Sequence, residues 1–115
     1  MTVRELMETL EARNVVEGAN LEAEITCGYT CDLLSWVLAH GKQGMCWITV
    51  QSHMNVVAVA VLMEMACIIL PEGVELEAPS LKKAEDEGLA VLASGKTAYE
   101  LAGMMAKAGI LPPAE

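Results

Sequence analysis

From Met45 to Ala108 short apolar runs alternate with helix-length segments in the order strand, helix, strand, helix, strand, helix. Met45 to Val50, Cys67 to Leu70 and Leu89 to Ala93 are apolar runs without the polar alternation of a half-exposed strand, as central strands covered on both sides require. Asn55 to Met65, Ser80 to Glu87 and Thr97 to Ala108 are the helical segments that follow each of them. A strand that returns after a helix normally lies parallel to the one before it, by a right-handed crossover. The pattern therefore predicts one compact α/β domain over 1–110, a central largely parallel sheet with helices on both faces, followed by a short C-terminal tail over 111–115.

The first third of the chain is less regular. Thr2 and Glu5 form a capping box, and Val3, Leu6, Met7 and Leu10 make one apolar stripe, so Thr2 to Ala12 opens as a helix. A short strand around Asn14 to Val16 and a turn at Gly18-Ala19-Asn20 follow. In Leu21 to Tyr29 the residues Leu21, Ala23 and Ile25 alternate with Glu22, Glu24 and Thr26, which reads as a second extended segment. Asp32 to Ala39 is a second helix, with Gly41 and Gly44 at its exit.

One helix is unusual. The fifteen residues Val56 to Leu70 carry a single charge, Glu64. A helix packed on one side of a sheet needs an apolar stripe of only roughly 100°. Here apolar residues go all the way round, and an uncovered outer side would expose a patch that soluble monomers rarely tolerate. A homodimer with Val57, Val59, Val61 and Met63 in its interface is the expectation, since a two-fold contact is the commonest way to bury such a face twice. The rival explanation is that another helix of the same chain covers it.

Composition narrows the function classes. The formal charge is −9, with seven Lys and Arg and only one adjacent basic pair, Lys82-Lys83, which excludes the clustered cations that nucleic acid demands. No span approaches the roughly 20 apolar residues of a membrane helix, and Thr2 to Glu11 is charged and amphipathic, unlike a signal peptide. The expectation is a cytoplasmic protein. In that compartment Cys27, Cys31, Cys46 and Cys67 read as small core residues, without the paired spacing of a zinc module, so neither a metal nor a cofactor is expected.

Two turns carry polar groups suited to chemistry. Ser94-Gly95-Lys96-Thr97 resembles the end of a phosphate loop, yet Ala90 stands where the motif needs its first glycine. It reads as a helix cap with, at most, a weak anion site at Ser94, Lys96 and Thr97. Thr49, Gln51, Ser52, His53 and Asn55 gather where a strand hands over to the apolar helix, the edge of a parallel sheet that usually holds ligands. Five polar side chains exceed what capping by Ser52 or Asn55 requires. Thr26 and Asp32 are candidate second contributors, Asp32 by orienting His53. No nucleophile elbow and no assignable catalytic partner accompany His53.

Leu21-Glu22-Ala23-Glu24-Ile25-Thr26-Cys27-Gly28-Tyr29, leading into Asp32-Leu33-Leu34-Ser35, resembles the signature of the DRTGG domain family. Trp47-Ile48-Thr49-Val50-Gln51-Ser52-His53-Met54-Asn55-Val56-Val57-Ala58-Val59-Ala60 resembles that of its small stand-alone members. The name-giving residues differ: the Asp-Arg pair corresponds to Glu22-Ala23, and Thr-Gly-Gly to Thr26-Cys27-Gly28. The resemblance implies a fold like the N-terminal domain of HPr kinase/phosphorylase, without its P-loop kinase domain. It also implies an accessory, dimerising role like that beside CBS domains in regulatory pyrophosphatases. Stand-alone relatives are encoded near iron-only hydrogenase subunits, which makes a hydrogenase or signalling protein the candidate partner.

The expected function is a non-catalytic regulatory or adaptor domain that homodimerises and binds a small ligand or a partner protein. The alternative class is a small enzyme, either a phosphotransferase or a His53-dependent hydrolase.

Overall fold

The structure, a computed structural model, describes residues 1–114. Five strands form one sheet in the order β1-β5-β4-β3-β2. They are β1 (Arg13–Asn14), β2 (Cys27–Thr30), β3 (Met45–Ile48), β4 (Cys67–Leu70) and β5 (Ala90–Ala93). β2 to β5 are parallel, and the two-residue β1 pairs antiparallel with β5 at the edge. The helices are α1 (Val3–Leu10), α2 (Leu34–His40), α3 (Met54–Leu62), α4 (Ala78–Glu87) and α5 (Ala98–Lys107).

The central strands show why their sequences lack alternation. Met45, Trp47, Ile68, Leu70 and Val91 face α2, α3 and α4, while Cys46, Ile48, Cys67, Ile69, Ala90 and Leu92 face α1 and α5. Both sides are covered, so every position along β3 and β4 is buried. Each parallel strand after β2 is added beside its predecessor, with its crossover helix on the same face. The strand order therefore never reverses within β2 to β5, and the crevice that such a reversal creates in doubly wound sheets is not formed there.

Three expectations change. Leu21 to Ile25 is a turn with one isolated bridge, Thr2 to Glu24, and the strand proper starts at Cys27. Leu21, Ala23 and Ile25 alternate in burial because they pack beside α1 on the sheet's α1/α5 face, not because they belong to a ladder. The cap of α3 is His53, whose Nδ1 accepts from the Asn55 amide at 3.2 Å, rather than Ser52 or Asn55. Finally, α3 is flanked by α2 and α4 in the same layer. Val57 and Val59 are buried inside the chain, and Val61 and Met63 are half-covered. The apolar circumference of α3 is thus largely used within one protomer, leaving Leu62, at 70% exposure, as its most exposed large apolar side chain.

At the far edge, the Gly28 amide of β2 donates to the Leu111 carbonyl at 2.9 Å, so the C-terminal segment runs against the outer side of the sheet. No helix among the described residues is long and apolar enough to cross a membrane.

Candidate functional site

The parallel pairing of β2 and β3 sets their carboxyl ends side by side. This brings Asp32, just after β2, against Thr49 and Val50, just after β3, although 17 and 18 residues separate them. Asp32 Oδ1 accepts from Thr49 Oγ1 at 2.8 Å and from the Val50 amide at 2.9 Å. Thr49 Oγ1 in turn accepts from the Gln51 amide at 3.2 Å, and Gln51 Nε2 donates to the Asp32 carbonyl at 2.8 Å. Below them, Trp47 Nε1 donates to the Cys31 carbonyl at 2.8 Å. The result is a cross-strand brace, with Thr49 itself buried. Charge-assisted bonds from two donors to one carboxylate fix a turn more firmly than neutral ones.

Ser52 and His53 continue from this brace. The Ser52 carbonyl accepts from buried Ser80 Oγ at 2.7 Å and from the Glu77 amide at 3.3 Å, tying the start of α3 to the start of α4. His53 and Asn55 stand at the exposed tip. Asp32 does not orient His53; its carboxylate is spent on Thr49 and Val50, and the His53 ring nitrogen Nδ1 on the helix amide.

Thr26 lies elsewhere. It precedes β2 and bonds across the opposite edge of the sheet, Oγ1 donating to the Gln43 carbonyl at 2.6 Å. A strand's length separates it from Asp32, so it cannot join the same site.

Ser94, Lys96 and Thr97 are also at the carboxyl edge, but the groups of Lys96 and Thr97 are engaged from within. Thr97 and Glu100 form a capping box on α5, placing a carboxylate where an anion would sit. The Lys96 ammonium donates to the Leu10 carbonyl at the end of α1 at 3.2 Å and lies 3.9 Å from Glu11.

The cysteines are free thiols. Burial pushes the Cys46 thiol up to about 12, and burial, with Cys46 beside it, raises Cys67 strongly as well. Among the described residues no group of three or more His, Cys, Asp or Glu side chains could hold a metal ion.

The sequence reading missed the apolar rim of the brace. Leu33 is 61% and Trp36 52% exposed, and Val50 and Met54, on the β3–α3 turn that Asp32 braces, are exposed as well. Trp36 stacks on His40, ring centroids 4.4 Å apart. The signal that was available is Leu33 and Trp36 spaced three apart, next to a helix face already supplied with Leu34 and Val37.

No protein-family model matches this chain, and no curated protein matches it. Its fold matches CBS and DRTGG domains from the regulatory region of a Clostridium perfringens pyrophosphatase, solved with the activator diadenosine tetraphosphate. The TM-score is 0.68 at 11% identity, over 96% of this chain and 47% of that one. This chain is thus similar to about half of that region's length, and the likeness is one of fold.

Proposed function

We propose that this chain is a non-catalytic regulatory or adaptor domain that homodimerises and binds a partner protein or small ligand over the carboxyl ends of β2 and β3. The observation that carries this reading is the pairing of a stiff polar brace with an exposed apolar rim, Leu33, Trp36, Val50 and Met54. Large apolar side chains clustered on a surface, with polar groups around them, are how recognition sites are composed. Gln51, Ser52, His53 and Asn55 supply the polar side of that surface. The fold likeness to a pyrophosphatase regulatory region supports a regulatory role, and the sequence resemblance points to iron-only hydrogenase systems as the source of the partner.

Dimerisation rests on the outer surface of the helical layer, where Leu38 and Leu62 are exposed, and not on Val57 or Val59. Sedimentation equilibrium at micromolar concentration gives a dimer, and Leu62→Glu shifts it toward the 12.3 kDa monomer. A wild-type monomer ends the dimer reading. Partner capture by the wild type, lost in a folded Trp36→Ala or Gln51→Ala, His53→Ala variant, supports the surface; retention overturns it. ATP-dependent phosphotransfer abolished by Lys96→Ala would replace the adaptor reading with the enzyme one.

A further inference from the structure

The other end of the carboxyl edge holds a cleft, between the ends of β5 and β1 and the loop that joins β4 to α4. Glu72 and Gly73, with φ of 58° and 72°, turn that loop back so that their amides donate to the carbonyls of Lys96 and Ser94. The outer part of the cleft, about 330 Å³, is polar and is bordered by Glu11, Arg13, Glu75 and Ser94. The inner part, about 230 Å³, is walled by Val15, Leu70, Leu76 and Leu81. Arg13, Val74, Glu75 and Ala93 border both, so the two parts lie side by side.

Charge, size and polarity together define an occupant. Arg13 makes no ion pair among the described residues, in a chain with 16 carboxylate residues to seven Lys and Arg. Glu75 is likewise without an ion pair among the described residues, and Glu11 reaches only Lys96, at 3.9 Å. Arg13, Glu11 and Glu75 are exposed and present both signs of charge at one opening, so the carboxylate and the ammonium of a zwitterion each find a counter-charge here. Pockets for drug-sized ligands start near about 300 Å³, so this space suits a small metabolite. The inner wall is aliphatic and rewards burial of an aliphatic chain.

We propose that the cleft binds a free α-amino acid with an aliphatic side chain. Arg13 takes the carboxylate, helped by the Ser94 hydroxyl, whose oxygen already accepts from the Lys96 amide at 3.0 Å and whose proton is free to donate. Glu75 and Glu11 take the ammonium, and the side chain enters the inner part. This site is separate from the surface over β2 and β3, and each stands or falls without the other.

The test is titration of ¹⁵N-labelled protein with L-leucine, followed by amide shifts. Saturable shifts are expected at Gly73 to Glu75 and Ala93 to Gly95. On the unaltered protein, 4-methylpentanoate lacks the ammonium, 3-methylbutylamine the carboxylate and glycine the side chain. Each should bind roughly tenfold more weakly or worse. Arg13→Gln and Glu75→Gln should weaken leucine similarly without disturbing the rest of the spectrum. Absence of saturable shifts at millimolar leucine, shifts confined to Gln51 to Asn55, or equal binding by the three analogues would overturn the proposal.

Discussion

The two halves of the sheet's carboxyl edge are built to opposite rules. Over β2 and β3 the polar side chains answer one another: Asp32 serves Thr49 and Val50, Gln51 serves Asp32, and Ser80 serves Ser52. Over β4, β5 and β1 the charged side chains Arg13 and Glu75 make no ion pair among the described residues, around a space that small residues, Gly73, Ala93 and Gly95, leave open. The first half spends its polar groups on holding a shape and presents apolar groups outward. The second engages Lys96 and Thr97 but leaves Arg13 and Glu75 without an ion pair among the described residues, and keeps its apolar groups inward. A dense polar motif is therefore evidence of rigidity as much as of binding, while a sparse set of charges from an edge strand and the segments beside it can border a cavity.

The contrast is broken most directly at Asp32. Asp32→Ala leaves the buried Thr49 hydroxyl and the Val50 amide without their acceptor, and should cost about 2 kcal/mol in chemical denaturation. A loss below about 0.5 kcal/mol would mean that the brace is ornamental and that its polar groups are as free as those of the cleft. Ser80→Ala should cost about 1 kcal/mol, since it removes one buried hydrogen bond. It should also raise amide exchange at the start of α3, which links the effect to the turn.

A smaller effect lies at α5, where the Thr97 amide, then its hydroxyl, hold the Glu100 carboxyl below its ordinary 4.5. A depressed carboxyl stabilises the fold above 4.5 and ceases to as pH falls through its folded value. The difference in thermal midpoint between wild type and Glu100→Ala should accordingly shrink on acidification below pH 4.5. Arg13→Gln sits at the bottom of the scale, within about 0.5 kcal/mol of wild type. A larger loss would show that Arg13 holds the fold and would move the cleft into the same category as the brace.

Much of the architecture was readable from the chain because β3, β4 and β5 are buried on both faces and so carry bounded apolar runs. The Leu21 to Ile25 stretch misled because packing against one helix and pairing in a ladder leave the same alternation. The apolar girth of α3 is met in part by α2 and α4 of the same protomer, which flank it and which no local pattern announces, while Leu62 on its outer side stays exposed. At the turn, Thr49, Gln51 and His53 were visible as a cluster. Asp32 reaches Thr49 and Gln51 only through strand pairing, and the role of His53 as a helix cap lies outside the usual Ser, Thr, Asp and Asn choices. Arg13 and Glu75 had no signal at all, since isolated charges far apart in the chain look like solvated surface until the fold brings them together.

The two tryptophans sit in opposite settings, and this divides the protein's intrinsic fluorescence into two independent channels. Trp47 is fully buried with its indole N–H bound to the Cys31 carbonyl, so it emits as a blue-shifted core reporter, out of reach of aqueous quenchers. Trp36 is half in water, stacked on His40, and emits further to the red within reach of acrylamide. Docking of any molecule on the outer surface of α2 would dim or shift only the red component. Loss of the fold would move both. A single emission spectrum of the native, untagged chain thus distinguishes occupancy of the surface from unfolding, without a label at either place.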